Sequence, residues 1–491
     1  MRLLRTIQRQ ILLHPFRVAV VDDQRSWRAY ELQVVAWHLA REIERRSSSE
    51  RVGILLPTSG LFPAALLAGW MLGRTVVPIN YLLSKPDLAY VCRDAGLDLC
   101  IAVSPMIDFV GGLPDGVEAL RIDQMRFSGF PPLRRSRWRD PDALAVLLYT
   151  SGTSGRPKGV MLSAGNLMAN IEQIVDRAQF NRRDTMLGVL PQFHTFGITV
   201  LTLLPLAIGC TAVYTARFVP RKLIELTRKH RATALVAIPS MYGALRLVKD
   251  ATADDLSSLR YVVSGGEPLS QAVSDGFIER FGIRICQGYG LTETSPVTNW
   301  CLPQEWRWKS VGRPLDRVHQ RIVDAQGNDV AVGAEGEVRI AGPNVMRGYW
   351  NLPVETAAAF DERGYFRTGD VGRFDTDGHL FITGRIKEML ILAGENVFPR
   401  EIEEVLDRHP SVKASAVIGV PDESRGETPV AFVELRPGEA FDEAALRAWC
   451  REHLAQFKVP RQITKLEALP RNPTGKIQRR ELIAAATQSH E

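Results

Sequence analysis

Cysteine is scarce in this chain: 491 residues contain six cysteines, and no two of them form a C-x-x-C pair. This argues against a disulfide-stapled scaffold and against a cysteine-based zinc site, so we expect buried thiols in a reducing compartment.

Long apolar runs are scarce as well. The uncharged stretch ITVLTLLPLAIGCTAVY (198–214) has only 17 residues and includes a proline. It predicts a buried helix leading into a strand, because a membrane-spanning helix needs about 20 residues.

The N-terminus and the overall charge exclude further classes of protein. MRLLRTIQRQILLHPF lacks the apolar core of a signal peptide and predicts a basic amphipathic helix that packs on its own protein. The formal charge of +6 does not indicate nucleic-acid binding but allows anionic ligands. Arginines 134, 135, 137 and 139 predict a solvated linker, with contact to a membrane surface or an acidic partner as the alternative. We expect a soluble cytoplasmic protein whose membrane contact is at most peripheral; its oligomeric state is not indicated.

The order of apolar and amphipathic segments predicts the fold class. Short β-branched runs such as RVGILLP, LAVLLYT, TALVAIP and LRYVVSG alternate with helical stretches. This alternation is typical of an α/β fold in which helices cover mainly parallel sheets. The pattern restarts on a smaller scale after about residue 385. We therefore predict a large N-terminal domain (1–385) and a small, mobile α+β C-terminal domain (386–491) that meet near Lys387.

The segment YTSGTSGRPKGV (149–160) is rich in Ser, Thr and Gly and contains a lysine near its end. Small residues expose backbone N–H groups and hydroxyls donate to oxyanions, so the segment predicts a phosphate-binding loop that follows the strand ALAVLLY. It is not a P-loop, because Pro157 stands where the second glycine of G-x-x-x-x-G-K-[ST] belongs. Taken alone, the segment leaves a plain turn as the alternative.

Five further strings follow in order: SGGEPLS (264–270), QGYGLTET (287–294), YFRTGD (365–370), GRIKEMLILAGENVFPREIE (384–403) and PRNPTGKIQRREL (470–482). QGYGLTET is predicted to follow a strand, IRIC. Together with the first loop, these strings resemble the adenylate-forming superfamily of acyl- and aryl-CoA synthetases, peptide-synthetase adenylation domains and luciferases. The resemblance covers nearly the whole chain, from VGILLP near residue 52 to the final lysine motif.

The resemblance implies a reaction in two halves. A carboxylate attacks the α-phosphate of ATP to give an acyl-adenylate and pyrophosphate, and a thiol, usually that of CoA, then displaces AMP. Such a reaction requires cations and donors to converge on the phosphates. By resemblance, the residues that hold the β- and γ-phosphates are Thr150, Ser151, Gly152, Thr153, Ser154, Gly155 and Lys158.

The other strings supply the remaining nucleotide contacts that the resemblance implies. Thr292 contacts the α-phosphate, and Glu293 helps to bind Mg²⁺, a hard cation that takes few carboxylates together with phosphate oxygens; a capping role is the alternative for both residues. The residues expected around the adenine and the ribose are Tyr289 stacked on the ring, Gln287, Gly265, Gly266 and Glu267 at its edge, and Asp370 with Arg385 at the ribose hydroxyls. Without the resemblance, Tyr289 suggests a core residue and the T-G-D of Asp370 a surface turn.

Lys476 carries the most specific prediction. By resemblance it reaches from the small domain to the carboxylate and the α-phosphate in the first half-reaction, although a lone lysine in a C-terminal loop suggests a solvated side chain. In the superfamily the small domain rotates between the half-reactions. The pivot corresponds to Lys387, and Gly394 corresponds to the glycine beside the pantetheine tunnel.

The acid is predicted less sharply than the reaction. His194 in PQFHTFG (191–197) is expected to gate the pocket or orient the carboxylate, with a hydrogen-bonded, half-buried histidine as the alternative. The stretch FHTFGITV (193–200) lacks the acidic residue that amino-acid-specific relatives carry there. The expected pocket segments are mostly small or apolar, and burial favours a tail by about 0.8 kcal/mol per methylene. A medium- or long-chain fatty acid is therefore the first expectation, and an aryl acid such as coumarate or benzoate is the second.

The sequence does not fix the thiol that accepts the acyl group. CoA is expected first, and a free-standing acyl carrier protein or simple release of the acyl-adenylate is the alternative. A catalytically silent binding protein is disfavoured, because Thr292, Glu293 and Lys476 are all present. We therefore expect an ATP-dependent, AMP-forming ligase that uses Mg²⁺ and joins a small carboxylic acid to a thiol.

Overall fold

The computed structural model describes residues 2–127, 129, 131, 136–137, 140–151, 156–392, 395–422, 426–471 and 477–488. It is a mixed α/β protein with a large N-terminal domain of sheets and helices and a small C-terminal domain. The six cysteines are buried and unbridged, as the sequence predicted.

The largest sheet of the described chain runs through the large domain in the order β16-β17-β18-β19-β15-β14-β13-β12-β11-β9-β10-β1-β2. Its strands are β1 (Val18–Val21), β2 (Ser26–Arg28), β9 (Thr185–Gly188), β10 (Thr211–Tyr214), β11 (Ala234–Ala237), β12 (Tyr261–Ser264), β13 (Cys286–Gly290), β14 (Val297–Trp300), β15 (Ser310–Pro314), β16 (His319–Val323), β17 (Gly336–Ala341), β18 (Phe366–Phe374) and β19 (Leu380–Arg385). Strands β1, β10, β9, β11, β12 and β13 pair in parallel. From β13 to β16 the pairing is antiparallel, a region that the βαβ pattern did not predict.

A second sheet of the large domain has the order β6-β5-β3-β4-β7-β8. Its strands are β3 (Arg51–Leu55), β4 (Thr75–Pro78), β5 (Leu99–Ala102), β6 (Glu118–Arg121), β7 (Leu144–Ser151) and β8 (Pro157–Ser163). They pair in parallel except for β7 and β8, which form an antiparallel hairpin.

The small domain has a sheet of its own, in the order β21-β20-β23-β22 with β24 beside β23. Its strands are β20 (Leu390–Leu392), β21 (Glu395–Val397), β22 (Val412–Asp422), β23 (Gly426–Leu435) and β24 (Gln462–Leu466). The last strand of the large sheet ends at Arg385 and the first strand of the small sheet begins at Leu390. The chain therefore passes from one sheet to the other through a short 3₁₀ turn, Ile386–Glu388.

Helices cover the sheets. They are α1 (Arg2–Leu13), α2 (Ala29–Arg46), α3 (Leu61–Met71), α4 (Lys85–Asp94), α5 (Ser104–Val110), α6 (Ala164–Ala178), α7 (Thr195–Ile198), α8 (Leu204–Ile208), α9 (Pro220–His230), α10 (Pro239–Leu245), α11 (Gln271–Phe281), α12 (Pro353–Ala358), α13 (Pro399–Leu406), α14 (Glu443–His453) and α15 (Arg479–Gln488). The N-terminal helix α1 buries Leu3, Leu4, Ile7 and Ile11 in the main core, which confirms that it packs on its own protein.

The uncharged stretch 198–214 is buried helix followed by β10, as predicted; a π-helical turn, Thr199–Leu203, joins α7 to α8. In the described residues, we find no helix that combines the length and the apolarity needed to cross a bilayer.

Two local predictions about the strands were wrong. QGYG does not follow a strand: it lies within β13, which begins at Cys286, so Ile283-Arg284-Ile285 precede the strand. The segment after ALAVLLY does not lead into a helix either, because it closes the β7–β8 hairpin. The residues that follow β13 and β7 still lie at the carboxyl ends of parallel strands, each in its own sheet, where ligand loops are expected.

Candidate active site

The carboxyl edge of the large sheet brings two predicted motifs together. The turn Gly265-Gly266-Glu267 follows β12, and the 3₁₀ turn Thr292–Thr294 follows β13. Gly266 has φ +83°, a conformation that glycine adopts without strain. Gln287 ties the two motifs, because its Oε1 accepts from the Leu269 backbone N–H at 3.4 Å.

Asp370 occupies the centre of this edge. It lies in β18, is 2% exposed, and accepts a hydrogen bond from the Tyr289 hydroxyl on Oδ2 at 2.6 Å. The Arg385 Nε lies 2.7 Å from its other oxygen, Oδ1. Burial opposes the charge of Arg385, but Asp370 and Glu388 outweigh it and raise the pKa of the guanidinium. The prediction of a surface turn from T-G-D alone is therefore wrong. Asp370 is buried, and each of its two carboxylate oxygens contacts a protein donor.

A second carboxylate, Glu293, lies on the 3₁₀ turn. Its Oε1 accepts from the Tyr349 hydroxyl at 2.9 Å. Burial raises the pKa of Glu293, and the Tyr349 hydrogen bond acts in the opposite direction. The same Tyr349 ring has the Lys158 Nζ 5.2 Å from its centroid, a cation–π distance. Tyr349 therefore connects the predicted metal-binding carboxylate to the predicted phosphate-binding lysine.

The backbone around Tyr349 explains this connection. Residues 346–350 run beside β8: Arg347 N–H donates to Met161 O at 3.0 Å and Trp350 N–H donates to Gly159 O at 2.7 Å. On the other side, Met346 N–H donates to Glu293 O at 2.7 Å. The segment thus links the phosphate hairpin to the turn that carries Thr292 and Glu293.

The sequence analysis missed Tyr349. Its signal was the string MRGYWN (346–351), in which a glycine precedes two aromatic residues. Nothing in that string identifies the Glu293 contact, which depends on tertiary pairing.

Only part of the predicted phosphate loop can be placed. Thr150 pairs with Lys158 and Ser151 with Pro157 in the hairpin register, so the ends of the loop face each other beside Tyr349. Gly152, Thr153, Ser154 and Gly155 lie outside the described residues, as do Gly394 and Lys476.

A cavity of about 760 Å³ extends from this edge into the large domain. Its lining residues are Tyr81, Leu82, Ile174, Phe180, Met186, Val189, Leu190, Pro191, His194, Thr195, Phe196, Val200, Ala216, Phe218, Val236, Ile238, Ser240, Met241, Val263, Gly265, Gly266, Glu267, Gly288, Tyr289, Gly290, Leu291, Thr292, Pro296, Val297 and Trp300. The predicted nucleotide residues thus lie at one end and apolar side chains at the other. Among the described lining residues there is no lysine or arginine.

His194 lies beside this cavity, immediately before α7. Its ring packs against Phe193, with 4.5 Å between the centroids. Burial lowers the pKa of His194 to about 4, so the imidazole is neutral at physiological pH. Its Nε2 is buried and has no hydrogen-bond partner among the described residues. The alternative prediction, a histidine whose ring is hydrogen-bonded within the protein, therefore does not hold for Nε2.

The small domain contacts the large domain next to Arg385. Arg400 Nη1 in α13 donates to the Ile382 carbonyl of β19 at 2.8 Å, and Lys309 forms an ion pair with Glu404. Lys387, the predicted pivot, lies in the connecting turn; burial and the nearby Arg385 both lower the pKa of its ammonium.

The donor set fits Mg²⁺ held mainly by substrate. The described residues contain no group of three or more His, Cys, Asp or Glu side chains that could cage a metal ion. Glu293 offers one half-buried carboxylate beside the β7–β8 hairpin, and Mg²⁺ is commonly held by one or two carboxylates together with phosphate oxygens.

Comparison with known proteins decides the family. A model of the AMP-binding enzyme family matches residues 7–350, and a model of the AMP-binding enzyme C-terminal domain matches residues 401–476. The chain belongs to the AMP-binding enzyme family. It is 35% identical over 462 residues to a sulfoacetate–CoA ligase of Cupriavidus necator, covering 89% of this chain and 87% of that protein. It is also 33% identical to a feruloyl-CoA synthase of Amycolatopsis sp, covering 88% of each chain.

The fold agrees with the family. An ATP-bound crystal structure of MatB from Rhodopseudomonas palustris superposes with a TM-score of 0.92 at 30% identity, covering 99% of this chain and 100% of that one. This AMP-binding enzyme is therefore an AMP-forming acid–thiol ligase of the adenylate-forming superfamily, as the motifs predicted. Its relatives act on acids as different as sulfoacetate and ferulate, so kinship does not fix the substrate.

Replacing Tyr349 with phenylalanine removes the hydroxyl that donates to Glu293 while keeping the ring beside Lys158. The pKa of Glu293 should then rise further, and the acid limb of the pH–rate profile should move to higher pH, because the predicted contact with Mg²⁺ requires the carboxylate form. At neutral pH we expect kcat/KM to fall roughly 10- to 100-fold, since a hydrogen bond to a charged group contributes about 1.5–3 kcal/mol.

Tyr149→Phe is the matched control, because the Tyr149 hydroxyl donates to Asp94 Oδ2 at 2.6 Å and does not contact Glu293. This variant should keep the acid limb in place. An unchanged acid limb in Tyr349→Phe would show that Tyr349 does not set the charge of Glu293.

Proposed function

We propose that this enzyme activates a hydrophobic monocarboxylic acid, a medium- or long-chain fatty acid in the first place, as its acyl-adenylate and transfers the acyl group to CoA. The observation that carries the proposal is the cavity of about 760 Å³, which runs from the nucleotide motifs into apolar side chains. An acyl tail gains about 0.8 kcal/mol for each methylene that it buries there.

The charge of the cavity argues against acids with a second anionic group. A sulfonate or second carboxylate inside an apolar chamber needs a cation, because an unpaired buried charge is costly. The described lining residues supply no lysine or arginine. This distinguishes the proposed substrate from sulfoacetate, the substrate named for the Cupriavidus necator relative. An aryl acid fits the same charge argument and is the second candidate.

In the first half-reaction, an oxygen of the substrate carboxylate forms a bond to the α-phosphorus of ATP, and the bond from that phosphorus to the bridging oxygen of pyrophosphate breaks. We assign Thr150, Ser151, Lys158 and the loop between them to the leaving pyrophosphate, and Thr292 to the α-phosphate. Mg²⁺, when bound at Glu293, would neutralise phosphate charge. We assign His194, whose neutral imidazole lines the cavity, to the substrate carboxylate, to which a ring N–H would donate.

We assign the nucleoside to the other motifs. Tyr289 forms the wall against which adenine stacks, with the Gly265–Glu267 turn and Gln287 at its edge. The lone pairs of Asp370 that do not face Tyr289 or Arg385 accept from the ribose hydroxyls. Since both oxygens of Asp370 are already positioned by protein donors, the carboxylate is preorganised for that contact.

In the second half-reaction, the CoA thiol attacks the acyl carbon and AMP leaves. We propose that residues 386–491 rotate about Lys387 between the half-reactions, so that Lys476 serves adenylation and the face carrying Gly394 serves thioester formation. The 3₁₀ turn Ile386–Glu388, which joins the two sheets, supports this pivot, because few residues need to change conformation in a hinge. A carrier-protein thiol is the alternative acceptor.

Pyrophosphate release with Mg-ATP tests the substrate class. We expect octanoate, palmitate or p-coumarate to be turned over in a CoA-dependent manner, and sulfoacetate and malonate to be turned over at least ~100-fold more slowly, as an unpaired buried anion would require. Fast turnover of sulfoacetate or malonate would contradict the apolar-acid proposal. Pyrophosphate released once per enzyme, with no restart on adding CoA, would reassign the acceptor to a carrier protein.

Lys476→Ala tests the role of the small domain. Adenylation should fall by roughly 10²–10³-fold or more, as expected for loss of a charge that stabilises the transition state. Thioester formation from preformed acyl-adenylate and CoA should be largely retained. Lys465→Ala, which removes a partly exposed lysine of β24, is the control and should change neither half. An equal loss of both halves in Lys476→Ala would contradict the rotation.

A further inference from the structure

The end of helix α1 and the residues that follow it leave apolar side chains in water. Leu12, Leu13 and Phe16 are between 58% and 76% exposed. The Phe16 ring packs edge-on against exposed Tyr30, with 5.8 Å between centroids, and exposed Val18 lies two residues further along the chain. These five residues, which we call the apolar tip, make up five of the fifteen large hydrophobic side chains exposed in the described part of the chain. Such clustering marks an interaction surface, whereas single exposed apolar residues are ordinary.

The outward side of α1 carries arginines that lead to the tip. Arg5 and Arg9 are exposed and stand four residues apart, and Leu12 follows Arg9 after three residues. These intervals place the three side chains on the same side of a helix. The opposite side of α1 is buried in the main core. The helix therefore presents cations and then apolar groups to the solvent.

Other arginines lie beside the tip. Arg182 contacts the ring of His14, the residue that follows the end of α1, and its neighbour Arg183 is exposed as well. Exposed Arg28 is the partner of Val18 in the antiparallel pairing of β1 with β2. Cations therefore border the tip on more than one side.

Acidic side chains do not balance this charge locally. Residues 1–21 include four arginines and no aspartate or glutamate. The next carboxylate along the chain, Asp22, accepts from Trp27 Nε1 at 2.8 Å, and Glu31 accepts from Arg25 Nη2 at 2.8 Å. The surface thus complements a partner that has an apolar interior and an anionic exterior.

We propose that the apolar tip inserts into the surface of an anionic lipid bilayer, with Arg5, Arg9 and Arg182 against the lipid phosphates. Side chains that are more than half exposed stand out from the protein and do not line a groove. A bilayer takes up protruding apolar groups without a matching hollow, whereas a protein partner needs a complementary shape. Arginine pairs with phosphate through two parallel hydrogen bonds. This binding surface goes beyond the proposed function and does not depend on which acid the enzyme uses.

Co-sedimentation of the full chain with lipid vesicles tests the proposal. We expect vesicles that contain phosphatidylglycerol to bind the wild-type enzyme at least ~10-fold more tightly than vesicles of phosphatidylcholine alone, because arginines are attracted to an anionic surface. Raising the salt from about 0.1 M to about 1 M shortens the Debye length from about 10 Å to about 3 Å, so this preference should shrink.

Leu12→Ser combined with Phe16→Ser should weaken binding to the anionic vesicles by at least ~10-fold, because two apolar side chains that leave water on insertion are lost. Leu247→Ser combined with Val354→Ser is the matched control: these residues are 70% and 76% exposed but lie outside the tip, so binding should persist. Arg9→Glu should weaken binding to the anionic vesicles alone. All three variants change exposed side chains, so their thermal unfolding should match the wild type.

A wild-type enzyme that binds neither kind of vesicle would overturn the proposal, and so would equal, salt-independent binding to both. Unweakened binding by the Leu12→Ser/Phe16→Ser variant would also overturn it. A wild-type dimer in sedimentation velocity that dissociates in this variant, together with no vesicle binding, would assign the tip to a second copy of the chain. None of these outcomes alters the proposed function, which concerns the cavity.

Discussion

The buried carboxylate of Asp370 is the interaction on which the arrangement of the site depends. Its two oxygens are bonded to Tyr289 on β13 and to Arg385 at the end of β19, so one charge ties together three strands. Removing Tyr289 or Arg385 would leave the buried charge of Asp370 less well compensated, which is destabilising. Since Arg385 also precedes the turn into the small domain, the nucleotide site and the interdomain connection share one electrostatic centre.

The cavity has a polar part and an apolar part. Donors and carboxylates lie at the carboxyl edge of the large sheet, and Tyr349 connects Glu293 at this edge to Lys158 in the β7–β8 hairpin of the second sheet. The inner end is formed by strand interiors and α6, which present apolar side chains. In the proposed function, the charged nucleotide and the apolar acid can therefore bind side by side, each in the environment that suits it.

Sequence reasoning predicted the fold class, the family and the type of reaction, because the motifs and the alternating apolar runs are local signals. It did not find the antiparallel extension from β14 to β19, nor that QGYG is itself a strand, since those features arise from pairing between distant segments. Tyr349 was missed for a related reason. It is an aromatic residue in an ordinary string, and its importance follows from its hydrogen bond to Glu293.

The affinity of the enzyme for AMP, measured by titration calorimetry with Asp370→Asn beside the wild type, tests the central claim most directly. Asparagine keeps the shape of the side chain but removes the charge that holds Tyr289 and Arg385 and that we propose as the acceptor for the ribose hydroxyls. Asp370 as the organising carboxylate predicts AMP binding weakened by about tenfold or more, as for loss of a hydrogen bond to a charged group. An unchanged Kd in a variant whose thermal unfolding matches the wild type would contradict it.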